Sequence, residues 1–317
     1  MLDEDAHARR ENLTQLVEQQ YLKKADVNSA LILSKLYPTP NQWHELIYAL
    51  LFWLGIVASA SSVIFFVAAN WQYMGHIGKF ALLEGLIVVA ILGYWKLKDK
   101  YLIQKGCLLF AMLGVGALMA LFGQTYQTGA DPWQLFFNWA ILTLPWVLVS
   151  RFTVMWMLWL ALLYATIVLY IGNVWLVEKA HLLLSIFFAV ALAIWQFSST
   201  KYAWLKQMWA INLLGFASAF YITYYLADDI WEDAFSALFF WIIWAGLAFY
   251  FYRYKQLNVV MLSGFSLSFI VAANILFLRL FETHFDDSLF LVLALLTIGL
   301  GTWLAIWLKG LIREAKV

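Results

Sequence analysis

Residues 46–69 read LIYALLFWLGIVASASSVIFFVAA and include no charged side chain. A helix rises about 1.5 Å per residue, so a helix of this length crosses the roughly 30 Å hydrocarbon core of a bilayer. Further apolar segments follow, joined by short connections that favour antiparallel neighbours. The ten predicted spans are Leu46–Ala69, Ile77–Trp95, Cys107–Gly123, Trp133–Val149, Phe152–Ile171, Ala180–Phe197, Met208–Ala227, Ala234–Tyr252, Leu257–Leu280 and Ser288–Leu308.

Composition supports the same class. Hydrophobic residues make up 64% of the chain and charged residues 12%, whereas a soluble domain is about half apolar and roughly a quarter charged. The net charge of +1 argues against a nucleic-acid-binding protein, which normally carries a basic patch. The sequence therefore predicts an all-α, polytopic membrane helix bundle whose main partner is the lipid bilayer.

Positive charge is sorted between the two sides of this predicted bundle. With the N-terminus inside, the inner side holds all of the 20 Lys and Arg residues except Lys79, Lys179 and Arg279. The positive-inside rule then places both termini in the cytoplasm, with an even number of spans. The third and fourth spans are short, and no Lys or Arg lies between them. Eight spans plus a re-entrant hairpin are therefore the alternative to the favoured ten.

A polar segment precedes the first span. Its apolar residues recur at helical spacing, Asp26 is a plausible N-cap for a second helix, and Pro38 and Pro40 end the segment. We expect a small helical hairpin that docks on the membrane domain or on a protein partner. The predicted domains are the hairpin at 1–40, the transmembrane bundle at 41–310 and a cytoplasmic tail at 311–317.

Glu84 is the most informative polar residue, because a carboxylate inside a span is costly unless it is paired or hydrated. It lies in the outer half of the second span, so we expect it to face the bundle, to be protonated or to line a wet cavity. Lys79 is five residues away, about 140° around a helix, and is poorly placed to pair with it.

Polar side chains on other spans fall at a similar depth. Asn70, Gln124 and Asn138 would form one polar layer with Glu84 in the outer third of the membrane if their helices adjoin. The functional interpretation of this layer is a site for a substrate, an ion or a proton. The structural interpretation is a set of hydrogen bonds that hold helices together.

Two stretches carry a resemblance to a known family. FFVAANW at 65–71, followed by Lys79, and FGQTYQTGADPWQLFFNW at 122–139, continuing to Leu144-Pro145, resemble the signatures of the bacterial membrane proteins in domain-of-unknown-function family 2157. The resemblance covers about residues 5–150 and implies a bacterial inner-membrane protein, without assigning a reaction. The positions that it emphasises are Asn70, Trp71, Lys79, Gln124, Tyr126, Asp131 and Trp139.

The outer loop 124–132 is rich in hydrogen-bonding groups. Asp131-Pro132 suits a helix start, with Asp131 as N-cap and Pro132 as the first helical residue. Gln124, Tyr126 and Gln127 have no such structural role and are suited to bind a headgroup, a glycan or a peptide.

Three classes of function fit these features. The favoured one is a transporter or channel for a small polar solute or ion, with its site around Glu84. The alternative is a non-catalytic scaffold or sensor that binds partners through the hairpin and the outer loop 124–132. An enzyme acting on lipid-linked substrates is the weakest, because the five histidines join no catalytic or metal-ligand set. We therefore expect no enzyme activity, no cofactor and no metal.

Overall fold

The computed structural model describes residues 2–23, 26–34, 36–37, 39–69, 73–127, 129–174, 179–281 and 287–314. These residues form helices and no strand, as the sequence predicts. The helices are α1 Leu2–Glu18, α2 Val27–Leu33, α3 Pro40–Ala69, α4 His76–Lys96, α5 Tyr101–Tyr126, α6 Pro132–Ser150, α7 Thr153–Val174, α8 Ala180–Ser199, α9 Met208–Asp229, α10 Ala234–Tyr250, α11 Val259–Leu280 and α12 Asp287–Glu314. A 3-10 turn at Ala203–Leu205 precedes α9, and a π-helical turn at Phe251–Lys255 follows α10.

Among the described residues, the ten helices α3 to α12 are each long and apolar enough to cross a bilayer. The prediction of ten helical spans is confirmed in this sense. The third span was predicted at Cys107–Gly123, but α5 begins earlier, at Tyr101, and has 26 residues. The charge of Lys105 does not end the helix, because its side chain is buried and its Nζ lies 5.3 Å from the Tyr101 ring centroid. This length favours ten spans over a re-entrant hairpin.

The first span also begins earlier than predicted, at Pro40 instead of Leu46. The Gln42 amide donates to Thr39 Oγ1 (3.3 Å), and the Thr39 amide donates to Gln42 Oε1 (2.9 Å). This reciprocal pair is a capping box, and Pro40 occupies the first helical position, where its missing N–H costs nothing. The helix therefore starts in the polar stretch before the apolar run.

The chain divides into two compact units, residues 1–125 and 126–315. The predicted division at residues 40 and 310 stays a prediction.

In unit 1, the two N-terminal helices form the predicted hairpin, where Arg9 Nη1 donates to the Ser34 carbonyl oxygen (3.2 Å) and Leu13 is buried. Asp26 precedes α2 as predicted. Its side chain makes no capping hydrogen bond, because its backbone continues a turn in which its amide donates to the Lys23 carbonyl oxygen.

The membrane helices of unit 1 pack through small residues on α5. A Cβ built at Gly106 would lie 2.7 Å from Phe52 Cζ of α3, and one at Gly114 would lie 2.9 Å from Ile87 Cγ1 of α4. Glycine at these positions lets large side chains of the neighbouring helices reach the α5 backbone.

In unit 2, α9 is the central helix and packs against α8, α10 and α11. Its buried residues Ile222, Tyr225 and Leu226 meet Trp241 of α10 and Ala272 of α11 in one apolar cluster. At the crossing of α9 and α11, Gly264 accommodates the Phe216 ring. A Cβ at Gly264 would lie 2.2 Å from Phe216 Cε1.

This crossing predicts a sharp difference between two glycine substitutions. We expect Gly264→Ala to lower stability by about 1–3 kcal/mol, because the new methyl group overlaps the Phe216 ring and forces it to move away from the crossing. Gly246→Ala on α10 is the matched control, since no heavy atom lies within 4 Å of its built Cβ. Thermal unfolding of both variants in detergent measures the difference. Equal melting temperatures would contradict the described crossing.

Candidate functional site

Glu84 lies on the exposed side of α4, eight residues after the helix begins at His76. Eight residues correspond to about 12 Å along the helix axis. Among the described residues, its carboxyl makes no hydrogen bond and no ion pair. An ionised carboxylate facing lipid at this depth costs on the order of 2–3 kcal/mol. Glu84 therefore lies outside the core of unit 1. That its carboxyl group is protonated, or that it lines a hydrated cavity, stays a prediction.

Lys79 lies on the other side of the same helix. It is only 2% exposed, on the side that also buries Leu83, Ile87 and Ala90, and its side chain is engaged in an interaction within the chain. Lys79 and Glu84 therefore face different surroundings, as their spacing of about 140° around the helix requires. Because Lys79 is held in the core, it also limits how far α4 can rotate.

The last turn of α5 carries the next two candidates. Gln124 and Tyr126 are both exposed, and Tyr126 is the last residue of the helix. The chain then turns sharply, since Gln127 has φ 43° and Gly129 has φ 62°, both in the left-handed region. This backbone ends the helix and leaves both polar side chains at the surface, where a ligand can reach them.

Asp131 is the N-cap residue of α6, and Pro132 occupies its first turn, as predicted. The Asp131 backbone is extended (φ −63°, ψ 147°), but its side chain makes no capping hydrogen bond. The Gln134 amide donates instead to the Asp131 backbone carbonyl oxygen (3.0 Å). The carboxylate of this family-motif residue is therefore exposed to solvent or ligand.

Asn138 is exposed on α6, and its neighbour Trp139 packs against Phe136 with ring centroids 6.2 Å apart. Asn138 belongs to unit 2, whereas Glu84 and Gln124 belong to unit 1. Asn70 and Trp71 lie outside the described residues. The predicted polar layer therefore stays a prediction.

Asn274 of α11 has a structural role. Its Oδ1 accepts a hydrogen bond from Thr297 Oγ1 of α12 (3.1 Å), and its Nδ2 donates to the Ile270 carbonyl oxygen (2.8 Å). The bond from Thr297 joins α12 to α11, as the structural interpretation of such amides predicts, and the bond to Ile270 lies within α11.

Sequence reasoning missed a hydroxyl and indole network inside unit 2. Ser185 and Ser218 each donate to the other's backbone carbonyl oxygen (3.2 Å), which links α8 to α9. The Trp244 indole N–H of α10 donates to Ser218 Oγ (2.9 Å). Each polar group therefore finds its partner on a neighbouring helix, which an apolar interior requires.

A second part of this network lies one to two turns further along α9. Thr223 Oγ1 and Ser268 Oγ of α11 lie 2.6 Å apart, and the Trp241 indole N–H donates to Ser268 Oγ (3.1 Å). The signal in the sequence was Trp241 and Trp244 at a spacing of three on one helix. A buried indole N–H usually has a hydrogen-bond partner.

An aromatic cluster around His181 was also missed. The His181 ring centroid lies 4.1 Å from that of Tyr224 and 6.2 Å from that of Tyr221, and the hydroxyls of Tyr221 and Tyr164 lie 2.6 Å apart. His181 Nδ1 is enclosed and has no hydrogen-bond partner in the described part of the chain. The cluster joins α7, α8 and α9.

The start of α10 is held by the acidic connection from α9. The Ser236 amide donates to Asp233 Oδ1 (3.2 Å), and Ser236 Oγ donates to Asp229 Oδ2 (3.1 Å). The hydrogen bond from the Ser236 amide, followed by that from its hydroxyl, lowers the pKa of Asp233. Within the described residues, no three His, Cys, Asp or Glu side chains come together as metal ligands would. This connection therefore caps the start of α10.

With this geometry established, similarity to known proteins can be stated. Residues 14–156 match the family described as Predicted membrane protein (DUF2157). This confirms the resemblance carried by the two sequence signatures. The match contains the end of α1, all of α2 to α6 and every predicted site residue, but not the network of α8 to α11. No curated protein and no solved structure matches the chain.

The Asp233 cap predicts a pH-dependent contribution to stability. Because the folded-state pKa is lowered, this contribution is complete above the unfolded value of about 3.8 and is lost as pH falls through the folded pKa. We expect Asp233→Ala to lower the melting temperature at pH 7, because the cap is lost. Asp233→Asn keeps a capping oxygen that does not titrate, so its difference from wild type should change between pH 7 and pH 3.5. A difference that does not change with pH would contradict the described cap.

Proposed function

We propose that this chain is a non-catalytic assembly subunit of the bacterial cytoplasmic membrane, with both termini in the cytoplasm and a protein partner held by its N-terminal hairpin. One observation carries the proposal. The hairpin, which lies outside the membrane helices, leaves large apolar side chains uncovered, including Leu33 at 83% exposure. The others are Leu16, Tyr21, Ile32 and Tyr37.

Exposed apolar residues in an aqueous segment indicate a binding surface when they are this concentrated. The hairpin has its own internal contacts at Arg9, Leu13 and Ser34, so these side chains are not needed to hold its two helices together. A surface that is free after the hairpin has folded is available for another protein.

The charge of the hairpin favours a protein over the membrane surface as its partner. Segments that lie on an anionic leaflet are normally rich in Lys and Arg. Here the two signs nearly balance, with Arg9, Arg10, Lys23, Lys24 and Lys35 against Asp3, Glu4, Asp5, Glu11, Glu18 and Asp26. Attraction to anionic lipid is therefore weak.

The sorting of Lys and Arg supports the proposed orientation. The inner ends of the spans, such as those at Lys96, Arg151 and Lys309, carry the positive charge, and the outer connections are acidic. The hairpin would then meet cytoplasmic proteins.

Crosslinking within cells tests the hairpin partner. A photo-reactive residue at position 33 of the full-length chain should give one adduct of defined mass, and the same residue at position 28 should not. Asn28 lies on the same helix, is exposed and is polar. A second change, Tyr21→Ser or Tyr37→Ser, should reduce the adduct at position 33 several-fold, because each removes apolar contact area. Adducts only with lipid, or equal adducts at positions 28 and 33, would contradict a protein partner.

Transport of a small polar solute or ion is the second candidate, and Glu84 favours it. Its carboxyl has no partner among the described residues and lies about 12 Å along a membrane helix. A group of this kind is suited to couple proton and solute movement where water reaches it.

Flux in liposomes tests this candidate. If Glu84 couples transport, Glu84→Gln abolishes the pH dependence of flux, because the amide cannot exchange a proton at neutral pH. Glu232→Gln, the same change at an exposed residue between α9 and α10, should leave flux unchanged. Equal flux from wild type and Glu84→Gln would remove Glu84 from any transport step.

A further inference from the structure

One face of α4 carries Glu84 among exposed apolar residues. Ile77, Ala81, Glu84, Val88 and Trp95 are all exposed and follow the heptad spacing by which one helix contacts another. We refer to these five residues as the Glu84 face. Glu84 is near its centre, and its neighbour one turn away, Ala81, is small enough to let another backbone approach.

Packing within unit 1 keeps this face outward. Ile87 of α4 reaches the α5 backbone at Gly114, where a built Cβ would lie 2.9 Å from Ile87 Cγ1. A rotation of α4 that buried Glu84 would break this contact and would carry the buried Lys79 out of the core. The chain therefore cannot satisfy the Glu84 carboxyl simply by turning its own helix.

We propose that the Glu84 face is the contact between two copies of this chain in the membrane. Two copies enter a bilayer with the same orientation, so a two-fold axis along the membrane normal brings each residue on the axis opposite itself, at the same depth. Glu84 of one copy then meets Glu84 of the other. A neutral carboxyl has one O–H donor and an acceptor oxygen, so two of them satisfy each other.

Other occupants fit this face less well. Lipid tails offer no hydrogen-bond partner to a carboxyl at this depth. A different protein would have to present a donor at the same depth, and nothing else on the face is charged or polar to orient it. This proposal rests on α4 alone and is independent of the partner bound by the hairpin.

Disulfide crosslinking in vesicles tests the contact directly. Cys107 is the one cysteine of the chain, so Cys107→Ser gives a background in which single cysteines can be introduced. Val88→Cys and Ala81→Cys should give a dimer on oxidation of the full-length protein. Val89→Cys is the matched control, because residue 89 is exposed and nearly at the same depth but about 100° around the helix. A dimer from Val89→Cys but not from Val88→Cys or Ala81→Cys would overturn the proposal.

Association measured by energy transfer between labelled copies in vesicles tests the role of the carboxyl. Glu84→Leu should weaken association about ten-fold, because the interhelical hydrogen bonds are lost. Glu84→Gln should stay within about three-fold of wild type, since an amide pair is also self-complementary. Val89→Leu controls for a change of apolar bulk on the same helix.

Two results would overturn the proposal: association equal in Glu84→Leu and wild type, or crosslinks only to another protein. The association assay does not involve the hairpin, so a negative result would not affect the proposal that a protein partner binds near position 33. Loss of the adduct at position 33 would, in turn, leave the Glu84 contact intact.

Discussion

The hydrocarbon core of the bilayer offers no water, so every polar group inside it needs a partner of its own. The helical architecture follows from this constraint, since α3 to α12 satisfy their backbone groups within each helix. The same constraint keeps most Lys and Arg residues at helix ends. Lys105 shows how an exception is accommodated, with its side chain buried and its ammonium over the Tyr101 ring.

The two units meet this constraint differently. In unit 2, side chains on neighbouring helices satisfy one another, as in the bonds among Ser185, Ser218 and Trp244 and the bond between Asn274 and Thr297. In unit 1, Glu84 lies on an exposed apolar face with no partner among the described residues. Polar groups of the first kind hold the helices of one chain together. A group of the second kind is suited to bind something outside the chain, either another copy or a hydrated solute.

The sequence alone predicted the number of apolar helices and the depth of Glu84 along its helix, because both depend only on the lengths of apolar runs. It was less reliable for helix ends. α3 begins before its apolar run, since Thr39 and Gln42 cap it. α5 begins before Lys105, whose ammonium group lies over the Tyr101 ring. Both features depend on side-chain contacts that hydrophobicity does not encode.

The sequence also did not predict whether a polar residue faces the neighbouring helices or the outside of the chain. An apolar helix such as α4 has no polar stripe to define its outer side, so the exposure of Glu84 follows only from how Ile87 packs at Gly114. The network of α8 to α11 was missed for a related reason. Ser, Thr and Trp are common in membrane helices, and only their three-dimensional arrangement distinguishes Ser218 and Ser268 from the exposed Ser263.

A spin-label scan of residues 80–92 in a bilayer, with accessibility to oxygen and to a water-soluble nickel chelate measured at each position, tests the role of Glu84 most directly. A contact between copies predicts that positions 81, 84 and 88 are shielded from both reagents, while position 89, about 100° around the helix from position 88, is accessible to oxygen. Access of the nickel chelate to position 84 would indicate a hydrated cavity and contradict the contact. Access of oxygen to positions 81, 84 and 88 would show that this face meets lipid alone.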